Sequence, residues 1–144
     1  MTLDEIFEEW SKDSNIDRSE LGNAALNLVK LHNKYYRIFS QERLLYKKLE
    51  SEAKTLKLDK TEFYVDGPTQ EQIELGWKLP AKGRILKSDV SNYLDADQDI
   101  IKLNLKLAYQ NEKLQLLESI IKMINNMGFH LKTALEFEKF KVGA

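Results

Sequence analysis

The chain has 144 residues, a mass of 16.8 kDa and a net charge of −1, with two histidines, two prolines, six glycines and no cysteine. That length suits one domain; 42 % apolar and 31 % charged residues are too balanced for a disordered chain and too polar for a membrane protein. Without cysteine there is no disulfide framework, thiolate nucleophile or Cys-based zinc site.

The near-zero charge conceals an uneven distribution. Residues 1–29 carry two basic and seven acidic groups (net −5), 30–60 carry nine and four (+5), 61–80 carry one and four (−3), and 81–144 carry ten and eight (+2). A basic band thus lies between acidic neighbours. The acidic opening Met1-Thr2-Leu3-Asp4-Glu5 lacks the flank of a signal peptide, and no window approaches ~18 uninterrupted apolar residues. The expectation is a soluble cytoplasmic protein.

Thr2-Leu3-Asp4-Glu5 reads as a capping box, and Leu3, Ile6, Phe7 and Trp10 follow at helical spacing, predicting a short acidic helix over 3–12. Ser14-Asn15 breaks it, and Asp17 with Glu20 offers a second cap. Leu21, Leu28, Tyr35, Leu49 and Leu56 then form an apolar seam interrupted by Glu42. Beside it run Ala24, Leu31, Ile38 and Leu45, and Ala25, Phe39, Tyr46 and Ala53 widen the stripe. With no proline from 18 to 60, one helix of about 40 residues is predicted, roughly 60 Å long.

Residues 61–94 read as loop-rich. Val65-Asp66-Gly67-Pro68 is turn chemistry, and Thr69 caps a short helix that Gly76 stops. Residues 76–84 hold two glycines and a proline, a short helical turn is expected at 89–94, and Phe63 to Val65 give a weak hint of strand. A second long helix is predicted over 95–127, its start favoured by Asp95, Asp97 and Asp99. Its heptad row Ile100, Leu107, Leu114, Ile121 pairs with Leu103, Leu117 and Ile124, with Gln110 as the polar exception. A further row (Ile101, Leu105, Ala108, Leu116, Ile120, Met123, Met127) makes more apolar surface than one antiparallel partner covers. Gly128 reads as a stop, followed by a terminal helix over 130–141. The expected fold is therefore all-α: one domain over 1–144, a helical hairpin of two long helices with short helices at each end. It should assemble as an oligomer through Leu103, Leu107, Leu114, Leu117, Ile121 and Ile124.

The chemistry of catalysis is hard to build from this chain. His32 and His130 lack the Glu-x-x-His spacing of bundle metal sites. Asp95-x-Asp97-x-Asp99 imitates a calcium loop, but Ile100 and Lys106 stand where glycine and a bidentate glutamate are needed. No phosphate-cradling glycine motif occurs, and no histidine is placed for a catalytic triad. No enzyme, metal or cofactor is expected. The cations of 30–60 read in part as an ordinary solvated helix face. Lys54, Lys57 and Lys60 differ, abutting Phe63 and Tyr64, and the following loop adds Trp77, Lys78, Lys82, Arg84 and Lys87. Cations beside aromatics are the mixture that binds single strands by phosphate neutralisation and base stacking. The competing account is that Phe63, Tyr64 and Trp77 fill core.

Asp95-Ala96-Asp97-Gln98-Asp99-Ile100-Ile101-Lys102-Leu103, then Gly128-Phe129 and Phe137-Glu138, resemble the UvsY-type recombination mediators of T-even-like tailed phages. The Leu3-Asp4-Glu5 opening, Ile16-Asp17, and Leu56-Lys57 leading to Phe63-Tyr64 are similar too, so the resemblance spans nearly the whole chain. It implies a non-enzymatic helical protein of the infected bacterial host's cytoplasm. The resemblance further implies a closed hexamer- or heptamer-like ring. Its partners would be single-stranded DNA, a RecA-like phage recombinase and the phage single-strand-binding protein. The family's basic segment ahead of the paired aromatics maps onto Lys57 and Lys60, although this chain has an extra residue there and the acidic Asp59. The alternative is a coiled-coil scaffold whose basic band meets an acidic neighbour such as residues 1–29.

Overall fold

In a computed structural model, residues 1–15 and 18–143 are described, except for the side chains of Arg18 and Leu21. Regular structure among them is entirely helical: α1 (Leu3–Asp13), a single 3-10 turn (Arg18–Glu20), α2 (Leu21–Asp66), α3 (Gln70–Glu74), α4 (Val90–Ala96) and α5 (Gln98–Lys141). The all-α expectation holds; the expected cap at Asp17 lies outside the described residues. Contacts divide the chain into two compact units, 1–45 with 110–144, and 46–109, so α2 and α5 each supply residues to both.

In the first unit, α1 starts where Thr2 Oγ1 accepts the Glu5 N–H at 3.1 Å, and it buries Ile6 and Trp10, one turn apart. Phe7, expected on that stripe, is exposed. Trp10 meets the Tyr35 ring of α2 edge-on, centroids 5.5 Å apart. Lys34 Nζ donates to Glu9 Oε2 (2.7 Å) and Asp13 Oδ2 (2.6 Å), and the Tyr35 hydroxyl donates to the same Asp13 oxygen (2.8 Å). Here the acidic N-terminal segment does meet the basic band. Burial by itself would raise the Asp13 carboxyl, but these bonds outweigh it and hold the group below its ordinary value.

The same unit pairs α2 with α5 antiparallel: Leu28 lies beside Gly128, and Glu42 lies opposite Gln110 and Lys113. Glu42 and Gln110 are the polar interruptions of their two seams, and they interrupt at the same place. Gln110 Nε2 donates to Glu42 Oε2 at 2.6 Å and to the Glu42 carbonyl at 2.8 Å, and Lys113 Nζ stands 3.0 Å from the carboxylate. A buried polar group is tolerated when its bonds are made internally.

Three boundaries differ from the sequence reading. α2 continues through Phe63 to Asp66, overriding the hint of strand, because the first residue that breaks it is Gly67 at φ +92. α5 begins at Gln98, capped by Asp97 Oδ1, which accepts the Ile100 N–H at 3.1 Å. α5 also runs through Gly128 to Lys141 without a stop. Gly128 is not among the positive-φ glycines, no proline follows it, and Leu131 just beyond is buried, anchoring the next turn. The expected oligomer row is corrected at three of its six positions. Leu114, Leu117 and Ile124 are buried inside the first unit, while Ile121 there, and Leu103 and Leu107 in the second unit, are half-buried.

Candidate nucleic-acid interface

The second unit is built around the end of α2. Phe63 and Tyr64 form its core with Ile85 and Leu94, and Trp77, Leu79, Val90, Tyr93 and Ile100 pack against them. Phe63 touches Tyr64 (centroids 5.1 Å) and Trp77 (5.4 Å), both edge-on. The expectation that Phe63 and Tyr64 stack on bases is thereby corrected. Adjacent residues on a helix point about 100° apart, and here both directions meet protein, Phe63 at 1 % exposure and Tyr64 at 9 %.

Lys60 is corrected too, and its surroundings explain why. Its side chain is 5 % exposed, with Nζ 2.7 Å from Asp99 Oδ2 and 3.1 Å from Asp97 Oδ2, 3.9 Å from the centre of the Trp77 ring and 5.7 Å from that of Phe63. The Tyr64 hydroxyl donates to Asp97 Oδ2 at 2.6 Å. Burial pushes the Asp97 carboxyl up, but the bonds from Tyr64, the Ile100 N–H and Lys60 prevail and hold it below the ordinary aspartate value. Burial and the same bond push the Tyr64 hydroxyl well up. A phosphate approaching Lys60 from solvent would meet the exposed Asp99 carboxylate first.

The signal that could have placed Lys60 inside is its register. It continues, seven residues on, the row Phe39, Tyr46 and Ala53 that widens the apolar stripe of α2.

The other cations face water. Lys54 and Lys57 are exposed on α2, and Lys78, Lys82, Arg84 and Lys87 are exposed on the segment between α3 and α4. That segment turns at Gly83, φ +86, whose N–H reaches the Pro80 carbonyl at 2.9 Å, and it is tied to α2 where the Ile85 N–H donates to the Tyr64 carbonyl at 2.8 Å. Lys82 Nζ lies 5.2 Å from the Tyr93 ring centre. Arg84 packs so near Gly67 that a Cβ there would stand 3.1 Å from its Nε. Among the described residues, no group of acids and histidines is placed to hold a metal ion, and no helix is long and apolar enough to cross a membrane.

Two long helices flanked by short ones, with a tethered cationic segment beside an aromatic core, define a protein of the long-helix all-α class. The chain belongs to the family described as "Recombination, repair and ssDNA binding protein UvsY", whose family model matches residues 9–144. It is 24 % identical over 143 residues to "Recombination protein uvsY" of Enterobacteria phage T4, covering 99 % of each chain. Crystal structures of the bacteriophage T4 recombination mediator protein UvsY share the fold. One lattice type matches with TM-score 0.82 and 26 % identity over 99 % of this chain and 98 % of that one. Another matches with TM-score 0.80 and 23 % identity over 98 % and 99 %.

Proposed function

We propose that this chain is a recombination mediator that grips single-stranded DNA and helps load a RecA-like recombinase onto strands coated by single-strand-binding protein. It would act in the cytoplasm of an infected bacterial host. Family membership supports the DNA and recombination parts. The observation that carries the site is the exposure of Lys54, Lys57, Lys78, Lys82, Arg84 and Lys87 within one compact unit in which Phe63, Tyr64 and Trp77 pack inward. The grip would therefore be mainly electrostatic, with little base stacking by Phe63, Tyr64 or Trp77. Six cations per protomer give modest affinity, and a ring of six or seven copies would multiply it by presenting many such units to one strand. Loading follows if the assembly binds the recombinase-ready strand conformation more tightly than the coated one, which needs no hydrolysis.

Polarisation of a labelled oligothymidylate across a salt series tests this reading. Binding at micromolar protein should fall with salt by roughly 0.7 log units per tenfold salt for each phosphate neutralised. The Lys54→Glu/Lys57→Glu and Lys82→Glu/Lys87→Glu pairs should each weaken it about tenfold or more and flatten that slope, at unchanged helicity. No salt-sensitive signal from the parent chain would leave the coiled-coil scaffold as the better reading, a reading favoured by the Lys34 ion pairs to Glu9 and Asp13.

A further inference from the structure

We infer that Lys60 is a positioning residue for single-strand binding: an internal cation that seats Trp77 and so holds the cationic segment 78–87 in its binding shape, without itself touching DNA. This rests on the reading of 78–87 as part of the interface.

The segment is fastened to α2 near each end, and Leu79 between them packs against the same core. At the far end Ile85, 4 % exposed, is locked by its N–H bond to the Tyr64 carbonyl. At the near end the fastening is Trp77, whose N–H is bonded to the Gln72 carbonyl of α3 at 3.1 Å and whose ring lies edge-on to Phe63 and over Lys60 Nζ at 3.9 Å. Between the fastenings stand the exposed Lys78, Lys82 and Arg84.

An ammonium has three N–H donors. Two of the directions open to Lys60 are taken by the Asp97 and Asp99 carboxylates, and the Trp77 face takes a third. A cation on an indole face is attracted more strongly when it is withdrawn from water, and this one is nearly so. The carboxylates hold the Lys60 ammonium in place, and Asp97 is itself tied down as the cap of α5. The chain of contacts thus runs from the α5 cap through Lys60 to Trp77 and the cationic segment. A segment held in its bound shape loses less entropy on binding than a free one. Cutting either link should cost affinity while leaving every DNA-facing cation in place.

The test compares Lys60→Met, Lys60→Arg, Trp77→Leu and the Lys60→Met/Trp77→Leu double in the full chain, using labelled oligothymidylate across a salt series. Lys60→Met and Trp77→Leu should each weaken binding roughly tenfold, the scale of ordering a residue or two on binding. The salt slope should stay at the parent value. The double variant should be no weaker than either single, because both cut one link, and Lys60→Arg should restore most of the affinity. In a Trp10→Phe background, Trp77 emission should shift to the red in Lys60→Met and return in Lys60→Arg.

Lys60→Met lowering the slope by about 0.7 with Trp77 emission unmoved would make Lys60 a phosphate contact and overturn the inference. Additive losses in the double, or a silent Trp77→Leu, would overturn it equally. Trp77→Leu keeps every charge, so it decides the matter even if Lys60→Met does not fold. A parent chain that binds no oligonucleotide would sink the DNA reading and with it the role in binding, while the emission shift would still decide whether Lys60 seats Trp77.

Discussion

Lys57 and Lys60 stand one helical turn apart on α2 in opposite surroundings: the first exposed, the second enclosed by two carboxylates and an indole. Charge alone makes them equivalent members of a basic run, and only the heptad register of Lys60 sets it apart in the sequence. What separates them is that Asp97 and Asp99 arrive from 37 and 39 residues away, and an isolated ammonium is not buried without such partners. Asp97 also makes the second unit sensitive to acid. Its folded value lies below the ordinary aspartate value of 3.8, so protonation favours the unfolded chain. The stability it contributes is therefore present above about pH 4 and lost as pH falls through the folded value. Asp13 and Glu42 act with the same sign in the first unit. Urea midpoints followed by Trp77 fluorescence in a Trp10→Phe background from pH 7 to 3 should fall steeply below pH 4, and less steeply when Asp97→Asn is added. Equal slopes would remove Asp97 from the account.

At the scale of elements, the heptad rows of α2 and α5 were legible because each turn repeats the same apolar positions. Their pairing was not. Glu42 and Gln110 each look like a defect in a seam, and only their meeting reveals that they set the register of the two helices, as a buried polar pair can. The end of α5 was misread for a related reason. Glycine costs a helix about 1 kcal/mol relative to alanine, enough to suggest a stop in isolation but less than the anchoring of a buried Leu131 provides. Gly128 keeps helical geometry, and an added Cβ would make ordinary contact with Leu28 Cδ1 at 3.9 Å. Gly128→Ala should therefore raise stability by about 0.5–1 kcal/mol in urea unfolding. A loss instead would mean that Leu28 needs the space.

For the whole molecule, the proposed ring needs a surface on which copies would meet. Leu114, Leu117 and Ile124 are taken up inside the protomer, so their substitution would unfold it before it dissociated an assembly. Apolar side chains left in water are better candidates, and the end of α5 is rich in them: Phe129, Phe137 and Phe140 are 76, 56 and 80 % exposed. Single exposed hydrophobics are ordinary, but aromatics grouped on one helical segment mark a contact surface. With a ring as the proposed state, Phe137→Ser/Phe140→Ser should lower the molar mass by light scattering and, through lost avidity, weaken oligonucleotide binding. Unchanged mass would put the interface elsewhere.

The helical class, the two long helices, the capped starts near Thr2 and Thr69, the uneven charge and the family resemblance could all be read along the chain. Each rests on residues within a few turns of one another, or on the order in which motifs follow. Which cations face water, which aromatics become core and which seam residues are spent inside the protomer were decided by tertiary structure. Those outcomes depend on pairs such as Lys60 with Asp99 and Glu42 with Gln110, 39 and 68 residues apart. A local pattern records that a side chain is charged or apolar; its partner, and hence its exposure, exists only once the helices are side by side.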